Sequence, residues 1–486
     1  MKLQSQIRVL SESEMDRIFE GAVDVVRSIS MQVRHEKMLE VLSGYGCEVD
    51  MEKQRVRFPM TVLQSLLDDI ERQKAKARKA RESAARETPE DGKIKLSCSA
   101  SGQGLWAHDL ETDEIRPATR QDLADVSRLI DAIPGLGRGH PTFIPQDVPV
   151  QTQDIHTLAT IALNYSDPGA VSVYSPESVD YMVELGIIIR GSMEELRKRP
   201  CFHFSMYMTT PFKLCGPNVE TALRMHKYGL AARLGGIFSI AGATTPVTLA
   251  GTLVHQTSEN LISNIINRAF ANIEGPSYGG SPLILDMKFA QQAENSPESH
   301  LMKLATGQIA QYCFGIGSGA GAGNPVTSAK IPGAQAVFEK TQALMFGLLS
   351  GARSFGSVGT LASADVGSLT QIIIDMEIIK SIQRLLNGID VTDHKLAVDV
   401  IKEVGSDGNY LAHEHTVKYM REEVWYPEIL DRRNVGGWLE DPKTMVENAK
   451  EKVRDILLHA ENKSALDEHQ KREIVKLLKR ADQQLR

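Results

Sequence analysis

Residues 237–278, IFSIAGATTPVTLAGTLVHQTSENLISNIINRAFANIEGPSY, contain in one stretch the pattern that decides the fold. A short apolar run, Ile237–Ala243, ends in small residues and is typical of a buried strand. It is followed by the helical pattern Gly251–Asn272 and by a second apolar run, Ile273–Tyr278. A strand, a helix and a strand in this order form one unit of a parallel sheet, so the stretch predicts a βαβ unit.

The same alternation continues on both sides of this stretch. The other apolar runs predicted to be strands are Arg138–Ile144, Ala170–Tyr174, Cys201–Met208, Cys313–Ser318 and Ala352–Val358. The other helical patterns between them are Gln153–Asn164, Asp180–Arg190, Glu298–Gln311 and Gln335–Leu349. Seven visible strands, with one more that the pattern does not show, favour an α/β fold of the (β/α)8 TIM-barrel type over an open sheet.

Three regions follow from this organisation. Residues 1–116 are predicted to form an N-terminal module of helices and β-hairpins, and residues 117–430 the barrel with the catalytic site. Residues 431–486 are predicted to be a C-terminal helical extension. Its charged last segment, Lys463–Arg486, either packs on a second subunit or is solvated, so the sequence leaves a homo-oligomer open.

Composition excludes several classes of protein. A net charge of -7 and a pI near 6.0 argue against a general nucleic-acid surface, which needs clustered positive charge. The five cysteines are dispersed, without a C-x-x-C pair, and are expected to be reduced thiols. The polar start lacks a signal peptide, and no apolar run approaches the ~20 residues that span a bilayer. We therefore expect a soluble cytoplasmic protein without a membrane segment.

The glycine-rich stretch Gly315–Gly323, GIGSGAGAG, is predicted to follow a strand and to line the mouth of the active site. No Gly-Lys-Ser/Thr tripeptide occurs, which excludes a P-loop. A relaxed dinucleotide fingerprint matches Gly315, Gly317 and Ala320. However, Pro325 and Pro332 interrupt the helix that should follow and hold a pyrophosphate. A ligand-facing loop and a tight turn needed only for backbone geometry both stay open.

Three long segments carry a family resemblance: IRPATRQDLADVSRLIDAIPGL (115–136), IAGATTPVTLAGTLVHQTSENL (240–261) and GNYLAHEHTVKYMREEVWYPEILDRR (408–433). They resemble the trimethylamine methyltransferase family, in particular its members that lack pyrrolysine. The resemblance implies a barrel enzyme that moves a methyl group from an amine to the cobalt of a corrinoid, a cobalamin cofactor carried by a separate partner protein.

The resemblance also locates the position where relatives carry pyrrolysine. That position falls near Asn324, within the loop that contains Gly321, Gly323 and Pro325. No unusual residue stands there, so trimethylamine is not the expected substrate. Similar pyrrolysine-free members use quaternary amines, which implies glycine betaine first, with carnitine and proline betaine as alternatives.

A quaternary amine with a carboxylate needs an electron-rich cage for its cationic head and donors for its carboxylate. The aromatic candidates near strand ends are Trp106, Phe143, Tyr174, Tyr207, Tyr278 and Phe355. The candidates for the carboxylate are His140, His203, Arg353 and His413. No acid/base pair is predicted, because the amine leaves without needing a proton. His413 and His415 are predicted to lie on different faces of a helix, and His255 with Glu259 has no third ligand at metal spacing, so no catalytic metal is expected.

Two other functions stay open at this point. The relaxed glycine fingerprint is compatible with a nicotinamide- or flavin-dependent oxidoreductase, which would carry a bound dinucleotide. A non-catalytic quaternary-amine binding protein would bind the ligand without transferring a methyl group.

Overall fold

The computed structural model describes residues 7–84, 95–317 and 324–485, except for the side chains of residues 81–84. The amino-terminal region is a helical module with a small antiparallel hairpin. Its elements are α1 (Glu12–Ser28), β1 (Met31–Val33), α2 (Glu36–Gly44), β2 (Glu48–Asp50), β3 (Arg55–Arg57) and α3 (Met60–Ala84). Ser11 and Glu14 cap each other's backbone at the start of α1 and form a capping box.

The central region alternates short strands with helices. Its elements are β4 (Ser97–Ala100), β5 (Trp106–His108), β6 (Ile115–Pro117), α4 (Arg120–Ala132), β7 (Leu136–Arg138), α5 (Gln153–Asn164), β8 (Val171–Ser172), α6 (Val179–Arg190), α7 (Met193–Lys198), β9 (Phe202–Thr209), β10 (Lys213–Leu214), α8 (Gly216–Lys227), β11 (Ala232–Ile237), β12 (Ile240–Ala241), α9 (Leu249–Ala271), β13 (Leu283–Asp286), β14 (Gln291–Ala293), α10 (Pro297–Cys313), α11 (Ala334–Leu349), β15 (Ser354–Val358), β16 (Thr360–Leu361), β17 (Val366–Gly367) and α12 (Leu369–Leu386).

The carboxyl-terminal region is helical. Its elements are α13 (Asp393–Leu396), α14 (Val398–Val404), α15 (Glu414–Glu423), α16 (Val435–Glu440), α17 (Met445–His459) and α18 (Glu468–Gln484). The last helix packs back onto the central region, with Ile474, Leu477 and Ala481 buried. The His156 Nε2 atom of α5 lies 2.9 Å from a carboxylate oxygen of Asp482, which fixes α18 against α5.

Three groups of parallel strands carry the central region. Strand β4 lies between β15 and β7, strand β9 between β8 and β11, and β12 pairs with β13. Among the described residues these pairings do not close into a barrel. A mixed α/β fold with parallel strands is therefore confirmed, and closure of a (β/α)8 TIM barrel is not.

The faces of β9 and β11 show how the layers are arranged. Along β9, Phe202, Phe204, Met206 and Met208 are buried, whereas the residues between them are partly or fully exposed. Because side chains alternate between the two faces of a strand, the buried set lies against the helices and the other set lines the opposite face. We call that second face of β8, β9 and β11, away from the helices, the inner face.

The predicted strand Ile273–Tyr278 is wrong, and amide side chains explain why. Residues 273–282 have no regular structure, and the strand β13 comes later. The Asn264 side chain accepts a hydrogen bond from Ser277 N and donates to Ser277 O, both at 2.8 Å. Asn260 accepts from Gly279 N at 2.9 Å. These side chains of α9 satisfy the backbone groups that a neighbouring strand would otherwise pair.

The predicted strand Cys313–Ser318 is also wrong within the described residues, because α10 continues to Cys313. Gly315 follows with a φ of +66°, and a Cβ atom there would lie 2.8 Å from the backbone of Lys74 in α3. Gly315 therefore allows a close approach of α3, and this first glycine does not line the mouth of a site. In a dinucleotide-binding site, the glycine fingerprint begins directly after a strand. Here it follows the helix α10, so the stretch lacks the preceding strand that a dinucleotide site requires.

The regional boundaries at residues 116 and 430 stay a prediction. The parallel pairing of β4 with β7 and β15 favours a first boundary nearer residue 95. In the described part of the chain, no helix is both long enough and apolar enough to cross a bilayer.

Candidate functional site

Four polar side chains meet where successive parallel strands end. Gln103 follows β4, His140 follows β7, Ser172 ends β8, and His203 lies beside Ser172 in the register of β9. The Nε2 atom of Gln103 lies 3.5 Å from His140 Nδ1 and 3.4 Å from Ser172 Oγ. The chain of contacts continues from Ser172 Oγ to His203 Nε2 at 3.4 Å. The structure therefore brings together the two histidines that the sequence proposes as ligand-binding residues.

The two imidazoles are neutral near pH 7. Their ring centroids are 4.9 Å apart. Burial, with a smaller contribution from the neighbouring His140, lowers the pKa of His203 to about 4. Burial also lowers the pKa of His140, with a second contribution from the Arg138 guanidinium. A neutral pair can donate and accept hydrogen bonds but adds no positive charge to the site.

Further along β9, an aromatic surface continues the inner face. The rings of Tyr207 and Phe238 are stacked, with centroids 6.1 Å apart, and both side chains are exposed. The Tyr207 ring covers Gly236, since a Cβ atom at Gly236 would lie 1.9 Å from the Tyr207 Cδ1 atom. Burial, with smaller contributions from Asp154 and Tyr207, raises the pKa of Tyr174. Exposed, overlapping rings of this kind suit a cationic ligand.

Three of the proposed aromatic residues belong to the core instead. Phe143 is fully buried and its ring covers Gly367. The Tyr278 ring packs on Phe314, and its hydroxyl lies 2.9 Å from Thr257 Oγ1. Phe355 on β15 is also buried in the main core. The structure places these three side chains in the core, where packing covers their surfaces.

The remaining candidates lie in separate places. Trp106 is exposed on the β5–β6 hairpin. Arg353 stands before β15, at its amino end, and donates to the carbonyls of Leu348 and Ala352 at 3.2 and 2.8 Å. His413 caps the start of α15 by accepting from His415 N at 3.1 Å. Arg353 and His413 are thus occupied by local backbone contacts, and the structure does not place them with the histidine pair.

Asn324 lies beside the carboxyl end of β15. It is exposed, and its Oδ1 atom lies 2.7 Å from the point where a Cβ atom would stand on Gly356. Ser357 N donates to Ser101 Oγ at 3.0 Å, which ties this end of β15 to the segment after β4. Pro325 is buried directly behind Asn324. Gly321 and Gly323 lie outside the described residues.

A profile of the trimethylamine methyltransferase family matches residues 2–485. The chain belongs to the trimethylamine methyltransferase family. It is 28% identical over 451 residues to a trimethylamine methyltransferase of Desulfitobacterium hafniense, which covers 92% of this chain and 88% of the relative. A trimethylamine methyltransferase of Methanosarcina thermophila is 27% identical, with 93% of each chain covered. A glycine betaine methyltransferase of Desulfitobacterium hafniense is 24% identical, covering 94% of this chain and 93% of the relative.

Membership of the trimethylamine methyltransferase family confirms both the resemblance and the predicted enzyme class, a methyltransferase. The matches extend over nearly the whole chain, so the family includes both the helical termini and the central strands. Within the described residues, no three His, Cys, Asp or Glu side chains are grouped closely enough to hold a metal ion.

In this member of the family, the segment after Asn324 is held by a carboxylate. Glu339 of α11 accepts from Thr327 Oγ1 at 2.6 Å and from Ser328 N at 2.7 Å. The next residue, Lys340, forms a fully buried ion pair with Asp375 of α12 at 2.5 Å. Asp375 also accepts from Gly359 N at 2.8 Å, just beyond β15. Two adjacent residues of α11 therefore fix both chain segments next to Asn324.

The sequence analysis missed one charged residue of the inner face, Arg233 on β11. Its neighbours Ala232 and Leu234 are buried, while Arg233 is exposed and lies opposite Ser205 of β9. The signal was present in the alternation of ARLGGI, in which a single arginine interrupts small and apolar residues. It was overlooked because the predicted strand began at Ile237, five residues after the start of β11.

Proposed function

We propose that the chain transfers a methyl group from a quaternary amine, with glycine betaine as the preferred substrate and dimethylglycine as the product. Carnitine and proline betaine are the alternative substrates. The acceptor is the Co(I) of a corrinoid carried by a separate protein. The observation that carries the proposal is the exposed aromatic pair Tyr207 and Phe238, which lies on the same face of β9 as His203, whose imidazole packs against His140.

The chemistry needs no proton from the protein. The bond between the methyl carbon and nitrogen breaks, and its electron pair stays on nitrogen, which becomes a neutral tertiary amine. A bound corrinoid supplies the nucleophilic cobalt that accepts the methyl group. The tasks left to the chain are to bind the substrate, to orient one methyl group outward and to exclude water. Neutral His140 and His203 suit these tasks, since they offer hydrogen bonds without adding charge near the ammonium group.

An apolar surface near the ends of β12 and β13 suits the approach of the partner protein. Val247, Met287 and Phe289 are each more than half exposed. Val247 and Met287 both lie next to Gly242, at 3.5 and 3.0 Å from a Cβ atom placed there, and are therefore neighbours. Exposed apolar patches of this kind commonly mark interaction sites. We propose that this surface receives the corrinoid protein.

We further propose that the parallel strands surround the site as a (β/α)8 barrel. The pairings of β15, β4 and β7, of β8, β9 and β11, and of β12 with β13 support this arrangement, because they follow the order of the chain. In such barrels, substrates bind at the carboxyl ends of the strands. His140 and Ser172 come at or just after such ends.

One assay tests the proposed function against its rivals. The protein is incubated with cob(I)alamin and with trimethylamine, glycine betaine, carnitine or proline betaine, and methylated cobalamin is followed by absorbance. We expect turnover with glycine betaine and little or none with trimethylamine. Lack of turnover with every quaternary amine would contradict the proposal. Binding without turnover would favour a binding protein, and a dinucleotide released from the purified chain would favour an oxidoreductase.

A further inference from the structure

Arg233 is held on the inner face by the packing of its neighbours. Leu234 N donates to Asn267 Oδ1 of α9 at 2.7 Å, and Leu234 O accepts from Asn267 Nδ2 at 2.8 Å. These bonds and the burial of the Leu234 side chain fix one face of β11 against α9. Since successive side chains of a strand point to opposite faces, Arg233 points to the face that carries Ser205 and Tyr207.

The charge of Arg233 is uncompensated on that face. Among the described residues, no carboxylate forms an ion pair with it, and no hydrogen-bond acceptor is assigned to its guanidinium. The titratable side chains of β9 on the same face are His203 and Tyr207, and neither of them supplies a negative charge at neutral pH. The inner face therefore combines one permanent positive charge with an aromatic surface.

A simple cationic amine is a poor ligand for such a surface, because the guanidinium repels its positive head. A zwitterion is different, since its carboxylate can bind the guanidinium while its ammonium group contacts the rings. Arg233 lies opposite Ser205, two residues before Tyr207 along β9, which is roughly 7 Å along the strand. The long arginine side chain and a ring can therefore reach the two ends of one small zwitterion.

We propose that Arg233 binds the carboxylate of the substrate and thereby restricts this enzyme to quaternary amines that carry a carboxylate. The inference rests on the proposed function and adds the residue that determines substrate class. Arg233 makes bidentate hydrogen bonds to the carboxylate, and Tyr207 and Phe238 contact the trimethylammonium head. Amines without a carboxylate, such as tetramethylammonium, lack the compensating charge and bind weakly.

The test compares Arg233→Gln, Arg233→Lys and the wild-type protein with two ligands, glycine betaine and tetramethylammonium. Binding is measured by isothermal titration calorimetry and methyl transfer by absorbance of methylated cobalamin. We expect Arg233→Gln to raise the Kd and KM for glycine betaine by about 10- to 100-fold, the usual strength of a hydrogen bond to a charged group. Its Kd for tetramethylammonium should stay unchanged or fall, kcat at saturation should change little, and Arg233→Lys should restore part of the affinity.

Arg421→Gln on the exposed surface of α15 is the matched control, because it removes the same charge far from the strands. Equal changes for both ligands in Arg233→Gln, or unchanged glycine betaine affinity, would overturn the proposal. Failure of the wild-type protein to bind glycine betaine at all would also overturn it. If the wild type binds glycine betaine through Arg233 but transfers no methyl group, only the proposed methyl transfer fails.

Discussion

Replacing Gly236 by alanine should displace the Tyr207 ring from the inner face. A Cβ atom at Gly236 would lie 1.9 Å from Tyr207 Cδ1 and 2.3 Å from Cε1. The ring must therefore move by about 1.5 Å to reach ordinary contact. The backbone of Gly236 is not in the left-handed region, so alanine strains only this contact. The substitution thus perturbs the ring without altering its chemistry.

The expected magnitude follows from the contact that is lost. A cation over an aromatic ring is worth about 0.5–2 kcal/mol, so losing one ring should raise the KM for glycine betaine by about 2- to 30-fold. Methyl transfer to cob(I)alamin gives KM, and thermal unfolding shows whether the variant folds.

The neighbouring glycine provides the control for this prediction. In Gly235→Ala the new Cβ atom would lie 3.6 Å from Ser205 Oγ, which is ordinary contact. This variant should keep the wild-type KM. If the two alanine variants have the same KM, Tyr207 does not contribute to binding the substrate, and the reasoning is refuted.

Three further predictions concern stability, each measured by urea unfolding. Lys340→Met should lower the free energy of unfolding by about 3–5 kcal/mol, because it leaves Asp375 buried without its cationic partner. Adding Asp375→Leu should recover most of this loss. A double variant no more stable than Lys340→Met alone would contradict this prediction. Burial raises the pKa of Glu259 to about 7, so the folded state holds a proton that the unfolded state releases above pH 4.5. Wild-type stability should therefore fall by about 3 kcal/mol relative to Glu259→Gln as the pH rises from 4.5 to 8, and parallel pH profiles would exclude this. Leu477→Ala should destabilise the protein by about 2–5 kcal/mol, whereas the exposed Val475→Ala should change stability little; equal losses would show that α18 is not packed as described.

Helices were predicted well because their signals are local. Helix α5 has the predicted bounds Gln153–Asn164, and α9 differs from its prediction by a residue or two at each end. Caps and apolar periodicity fix such elements without reference to distant residues. Strands were predicted directly after α9 and α10 where the structure has none. Whether such a segment forms a strand depends on the residues that pack beside it in the fold. In residues 273–279, asparagine side chains of α9 bond to backbone groups that would pair with a neighbouring strand. The pattern of apolar residues in the sequence gives no sign of these side-chain hydrogen bonds.

The candidate site was predicted in part for a similar reason. His140 and His203 come together across the ends of β7 and β8, and Tyr207 lies further along β9 on the same face as His203. An aromatic residue at a strand end has the same sequence signal whether it packs inward or faces a cavity. Phe143 and Tyr207 therefore could not be distinguished before the strand faces were known. Burial separates them, since Phe143 is fully enclosed and Tyr207 is 40% exposed.

Arg233, which binds the carboxylate, and Tyr207, which contacts the ammonium group, should contribute differently to binding of the product. Methyl transfer leaves dimethylglycine as a tertiary amine, which takes up a proton in water near pH 7 and then carries an N–H that needs a hydrogen-bond partner, so the aromatic contact with Tyr207 weakens while the carboxylate still binds Arg233. Inhibition by dimethylglycine should then depend on Arg233 far more than on Tyr207. Arg233→Gln should raise the inhibition constant of dimethylglycine by about 10- to 100-fold, and Gly236→Ala should change it by less than it changes the KM for glycine betaine. Equal sensitivity of substrate and product to Gly236→Ala would mean that the ring does not distinguish the quaternary ammonium of the substrate from the protonated tertiary amine of the product.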